Sequence, residues 1–192
     1  GIKTHTCENE ARRMLGIRSK LMRLWLAGPA ERQHTKTLSV LRDAGKPARR
    51  ILFLCYGNIC RSPVAEKVAL RLMPEVGVTS AGSYPKENRL TPEHVQVAAK
   101  SIGVDLSGWS SRKVNREMVQ RADVVVLLDL YNFRDYRREF PKDQNKALFL
   151  GLFLDPPQLA ITDPYNKSAD ETLRIVKLIE AGVTGLARQI AF

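Results

Sequence analysis

The segment Cys55-Tyr56-Gly57-Asn58-Ile59-Cys60-Arg61-Ser62-Pro63 constrains the fold most, because a strand signature runs into it and a helix signature leaves it. Ile51 to Leu54 is a short apolar run with a branched residue and an aromatic, preceded by Arg49 and Arg50 and followed by a glycine. That pattern predicts a fully buried strand. From Ser62 onward, Val64, Ala65, Val68, Ala69, Leu72 and Met73 fall at helical spacing, with Pro63 in the first turn, where its missing N–H costs nothing. Cys55 and Arg61 thus bracket a loop at a helix N-terminus. Successive backbone N–H groups of such a loop turn inward at the positive end of the helix dipole, which makes it a site for an anion.

The spacing Cys-x5-Arg is weak by itself. Cys7 and Arg13 share it, but there Glu8 and Glu10 would repel an anion, no strand or glycine is present, and Met14 stands where a hydroxyl would be useful. At Cys55 the strand, Gly57, Asn58, Ser62 and the helix all converge. A thiol beside a helix N-terminus and an arginine is expected to ionise well below its free value of about 8.5. As a thiolate in an oxyanion cradle, Cys55 is a nucleophile for phosphorus or a similar tetrahedral centre. Arg61 offers a planar fork for two equatorial phosphoryl oxygens, and Ser62 can hydrogen-bond the sulfur. A leaving alkoxide or phenoxide also needs a proton. Asp163-Pro164-Tyr165 is the favoured source, with Asp155-Pro156-Pro157 and Asp129 as rivals, and loop turn chemistry is the alternative role for each.

Apolar runs at 77–80, 124–128 and 147–150 alternate with helical patterns at 92–102, 115–121 and 169–190. This predicts an α/β domain with a parallel sheet covered on both faces, its ligand site at the C-terminal strand ends. Residues 1–50 differ in composition, holding 12 Lys or Arg against 4 Asp or Glu, a net +8 of the chain's +11. Residues 1–49 therefore read as a basic helical extension ahead of a domain at 50–192. Met14, Ile17, Leu21, Leu24 and Trp25 repeat at helical spacing among Arg12, Arg13, Arg18, Lys20 and Arg23. Gly28-Pro29 is expected to end that helix, and a second is expected from Ala30 to Ala44.

Packing of the apolar stripe on the domain, or self-association through it, is favoured over peripheral membrane binding; no nucleic-acid partner is expected. Interrupting charges exclude a spanning helix and a convincing signal peptide. The chain opens on glycine rather than methionine, consistent with a start further upstream. Three cysteines, one needed as a free thiolate, point to a reducing, cytoplasmic compartment. No Cys–His zinc spacing occurs, and His5, His34 and His94 are each expected on the solvated surface.

Phe53 to Pro63 resembles the phosphate loop of the low-molecular-weight protein tyrosine phosphatases, and Asp163-Pro164-Tyr165 resembles their general-acid motif. Thr79-Ser80-Ala81-Gly82, and Gly103-Val104-Asp105-Leu106-Ser107 followed by Arg112, match in order. The resemblance implies four parallel strands, hydrolysis of phosphotyrosine on a protein through a phosphocysteine at Cys55, and no metal or organic cofactor. It also implies phosphate held by Arg61 and the loop amides of Tyr56 to Ser62, and Asp163 as acid and then base. Asn58, Ser62 and Ser80 would support the loop. Cys60 would be either a reversible disulfide partner of Cys55 or a small core residue. Where many relatives carry a histidine supporting the loop, this chain has Trp109, so that support does not carry over. Ile59 stands where relatives acting on phosphoarginine carry a small hydroxyl residue; it narrows the pocket floor and favours phosphotyrosine. Tyr56, Tyr84 and Tyr165 are candidate walls for a phenyl ring, or ordinary packing residues. Arsenate reduction on the same scaffold, and a non-catalytic phosphopeptide reader, are the alternative functions.

Overall fold

The fold is that of a computed structural model, which describes residues 3–43 and 48–190, with side chains from residue 21 onward except at 23 and 43. Strands β1 (Arg50–Cys55), β2 (Gly77–Gly82), β3 (Val124–Leu127) and β4 (Ala147–Phe149) form one parallel sheet in the order β2-β1-β3-β4. This is the expected four-stranded α/β sheet. Strand side chains alternate between its two faces. Ile51, Phe53, Val124, Val126 and Leu148 join one core, beneath helices α2 (Arg61–Leu72), α3 (Glu93–Lys100) and α6 (Ala169–Ile190). Leu52, Leu54, Val125, Leu127 and Phe149 join the other, beneath α1 (Lys3–Asp43), α4 (Arg116–Arg121) and α5 (Leu130–Glu139). Both faces of the strands are buried, which is why β1 and β3 read as unbroken apolar runs.

Helix α5 carries no element in the sequence reading. Its signal is brief: Asp129 caps it by accepting the Asn132 N–H at 2.7 Å, and Leu130, Phe133 and Tyr136 are its buried face. Two 3-10 turns, Pro141–Lys146 and Leu150–Phe153, flank β4.

The expected break at Gly28-Pro29 does not occur, nor does a separate helix from Ala30. Helix α1 runs through with Pro29 inside it. A mid-helix proline costs about 3 kcal/mol, but tertiary burial opposes that cost here. Leu26 and Ala30 lie in the core, and His34 and Thr37 are buried beside β4. Trp25, whose carbonyl the proline cannot satisfy, is 74% exposed, so water can reach that part of the helix. The His34 Nδ1 accepts the Phe149 N–H at 3.1 Å, and the Thr37 hydroxyl donates to the Asn145 carbonyl at 2.9 Å. Helix α1 thereby covers the free edge of β4, an edge that would otherwise invite strand pairing. His34 is therefore not the surface residue expected. Burial, reinforced by the Arg42 charge, pulls its pKa down to about 4. Leu21, Leu24 and Trp25 remain exposed. Cys7 and His5 lie outside the described side chains. Among the described residues no helix is long and apolar enough to cross a membrane.

Candidate active site

Strand β1 delivers Cys55 to the C-terminal edge of the sheet, and residues 56–60 curl over it before α2 begins at Arg61. The Cys55 sulfur accepts the Asn58 N–H at 3.2 Å and lies 3.0 Å from the Ser62 hydroxyl. That hydroxyl already accepts from the Asn58 side-chain amide at 2.9 Å, so its own proton is free to point at the sulfur. Asn58 has φ 50°, the left-handed region, which asparagine tolerates better than most residues.

Asn58 is the keystone of a closed ring of hydrogen bonds behind the loop. Its amide nitrogen donates to Ser80 on β2 at 2.8 Å, and its amide oxygen accepts the Arg112 N–H at 2.8 Å. Ser80 also hydrogen-bonds Glu66, and Glu66 pairs with the Arg112 guanidinium at 2.6 Å. Burial pushes the Glu66 carboxyl above its usual range, against the pull of Ser80 and Arg112. Trp109 completes the support. Its indole N–H donates to the Asn58 carbonyl at 2.8 Å, and the Arg112 guanidinium sits 5.1 Å from its ring centre. Trp109, from which no loop support was expected, thus supplies a donor to the loop.

Arg61 is 2% exposed. Its Nη1 donates to Asp129 at 2.5 Å and to the Ile161 carbonyl at 3.0 Å, and its Nη2 donates to Asp163 at 2.7 Å. Burial alone would weaken its charge, but Asp129, Cys55 and Asp163 outweigh that and hold it cationic. Its Nε is buried with no partner among the protein's own atoms.

The three candidate acids separate by position. Asp129 lies behind Arg61, outside the lining of the cavity above Cys55, with its oxygens on the α5 cap and on Arg61. Asp155 lines a different hollow, between Phe153 and α6. Asp163 lines the cavity above Cys55, with one oxygen on Arg61 and the other accepting the Tyr165 N–H at 3.1 Å. That cavity, about 210 Å³, is walled by Tyr56, Gly57, Ile59, Cys60, Tyr84, Arg89 and Tyr165. Tyr56 and Tyr165 are each more than half exposed, and Tyr56 meets Tyr84 edge-on at 5.4 Å. Cys60 is a buried free thiol like Cys55, and its pKa is pushed up by burial and by the Asp163 and Cys55 charges. Among the described residues no acidic, cysteine and histidine cluster could hold a metal.

Two residues at the site escaped the sequence reading. Arg89 lines the cavity and donates to the Gly57 carbonyl at 2.5 Å. His94 on α3, expected on the surface, is half-buried, with its Nε2 3.1 Å from the Pro164 carbonyl, so it braces the loop carrying Asp163. Neither stands in a spacing that signals its partner, because both reach the site from elements far away in the chain.

A family model described as low molecular weight phosphotyrosine protein phosphatase matches residues 50–191. The chain is 29% identical to the low molecular weight protein-tyrosine-phosphatase Etp of Escherichia coli (strain K12), over 73% of this chain and 94% of that one. Among solved structures it is similar to the Erwinia amylovora tyrosine phosphatase AmsI, with TM-score 0.71 and 24% identity over 76% of this chain and 95% of that one. It is also similar to the YwlE arginine phosphatase from Geobacillus stearothermophilus, with TM-score 0.69 and 26% identity over 74% of this chain and 93% of that one. On a match spanning all but the extension, the chain belongs to the low-molecular-weight phosphotyrosine protein phosphatase family.

Proposed function

We propose that this chain hydrolyses phosphotyrosine on proteins through a phosphocysteine at Cys55. One observation carries the reading: the Cys55 sulfur, hydrogen-bonded by the Asn58 N–H and facing the Ser62 hydroxyl, shares a cavity with Asp163 beside Arg61, whose Nε is unpartnered. The phosphoryl oxygens lie against the inward amides of residues 56–62, with Arg61 Nε donating to one of them. Substrate displaces Asp163 from its pairing with Arg61, leaving its carboxyl free to carry a proton to the leaving oxygen.

The sulfur then attacks phosphorus, the bond from phosphorus to the phenolic oxygen breaks, and Asp163 protonates that oxygen. Water attacks the phosphocysteine next, Asp163 takes its proton, and the sulfur leaves as thiolate with the Ser62 hydroxyl donating to it. Asn58, Ser80 and Ser62 keep the loop in shape. Tyr56, Tyr84 and Tyr165 line the mouth for an aromatic ring, and Ile59 on the cavity wall favours phenyl phosphate over the substrate of an arginine phosphatase. A mechanism through free thiols fits a reducing cytoplasm.

The test is turnover of phosphotyrosine, phosphoserine and phosphoarginine peptides and of arsenate by the full chain. Phosphotyrosine is expected to be preferred. Cys55→Ser is expected to abolish turnover, and Asp163→Ala to lower kcat by about 10²- to 10⁴-fold. An active Cys55→Ser protein, or arsenate turnover without aryl phosphatase activity, contradicts the reading.

A further inference from the structure

We propose that Arg89 is a positioning residue for the nucleophile: it grips the outer end of the Gly57–Asn58 peptide unit and through it stabilises the charged form of the Cys55 sulfur. This rests on the phosphocysteine reading above. In a trans peptide the carbonyl and the N–H point in opposite directions. The Gly57 carbonyl accepts from Arg89 Nη2 at 2.5 Å, while the N–H of the same unit donates to the Cys55 sulfur at 3.2 Å. One rigid plane therefore carries a guanidinium at its outer end and the sulfur at its inner end. The next carbonyl, that of Asn58, is held outward by the Trp109 indole at 2.8 Å. Trp109 is neutral, whereas Arg89 is a cation. A charge on the carbonyl polarises the amide and makes its N–H a stronger donor to a thiolate.

The surroundings hold Arg89 to this task. Its N–H donates to the Ser111 hydroxyl at 3.0 Å, and its carbonyl accepts the Ser111 N–H at 3.0 Å. Its guanidinium stacks 4.2 Å from the centre of the Tyr84 ring. Among the described residues no carboxylate forms an ion pair with it, so its charge is not neutralised by a neighbour. Gly57 leaves room for the approach: a Cβ there would lie 3.1 Å from Arg89 Nη2 and 3.3 Å from Ile59 Cγ1.

The other titratable or charged groups facing Cys55 are Arg61 at the start of α2, Cys60 in the loop, Asp163 ahead of α6, the Tyr56, Tyr84 and Tyr165 phenols, and Asp129 behind Arg61. All are retained when Arg89 is changed.

The experiment measures alkylation of Cys55 by iodoacetamide against pH, read by mass spectrometry of the Cys55 peptide so that other thiols do not count. It is run on the full chain and on Arg89→Gln and Arg89→Lys. Arg89→Gln keeps a donor but removes the charge. Its alkylation midpoint is expected to rise by half a pH unit or more, with the acid limb of kcat/KM for an aryl phosphate rising alongside. Arg89→Lys is expected to restore at least half of that shift. A Gln profile that superimposes on the wild type, or a loss of kcat with no movement along the pH axis, overturns the proposal. Alkylation needs no turnover, so a chain lacking phosphatase activity would sink the phosphocysteine reading while leaving this measurement valid.

Discussion

On the proposed mechanism Arg61 meets the phosphoryl group with its Nε and with the Nη2 that Asp163 releases, and a lysine in its place supplies charge without the fork. Arg61→Lys is therefore expected to lower kcat/KM for an aryl phosphate by about 10²- to 10³-fold, and to lower stability too, since the buried Arg61 holds Asp129, the Ile161 carbonyl and Asp163 through its Nη1 and Nη2; near-normal turnover would show that point charge suffices. Trp109→Phe deletes the indole donor to the Asn58 carbonyl and also shrinks a buried ring beside Arg112. It is expected to cost about 1–3 kcal/mol in a urea melt and to slow turnover. At this scale Cys55, Arg61, Ser62 and Asn58 were legible because strand, turn and helix signals bracket them within a dozen residues. Asp163 was distinguishable from Asp155 and Asp129 only as a preference, because a loop Asp-Pro carries no local sign of what lies opposite. Arg89 and His94 were silent for the same reason.

At the scale of elements, strands with both faces buried were readable as apolar runs, and α6 was readable from its long amphipathic pattern. Pro29 misled, because intrinsic propensity was overridden by the burial of Leu26, Ala30, His34 and Thr37 on the sheet edge. The docking of α1 depends on a neutral His34 that accepts the Phe149 N–H. Burial and the Arg42 charge hold its pKa down at about 4, against an unfolded value of 6.5. As pH falls below 6.5 the unfolded chain takes up a proton that the folded chain refuses, so this contribution to stability is complete above 6.5 and is lost on the way down to about 4. Thermal melts are expected to show Tm falling across that window. His34→Gln should flatten the His34 part of that fall; an identical pH profile in the variant would contradict the assignment.

At the scale of the whole molecule, the family match covers residues 50–191, yet α1 contributes to both cores: Leu26 and Ala30 on one face of the sheet, Leu38 and Leu41 against the other. The composition shift at residue 50 marks a difference in charge, not a boundary in packing. Removing residues 1–49 should uncover the β4 edge and lower Tm by roughly 5–10 °C; an unchanged Tm would mean that the helix adds nothing to the domain. What unites the molecule is a sheet that presents one sulfur, held by the Asn58 N–H, to a cavity shared with Asp163, and the most direct test of the proposed mechanism is to trap a phosphocysteine there. Quenching the full chain in acid during turnover of an aryl phosphate, then mapping peptides by mass spectrometry, is expected to find phosphate on Cys55, more of it in Asp163→Ala if the second step slows. Turnover with no phosphorylated Cys55 peptide in either protein, or phosphate on another residue, would contradict the account.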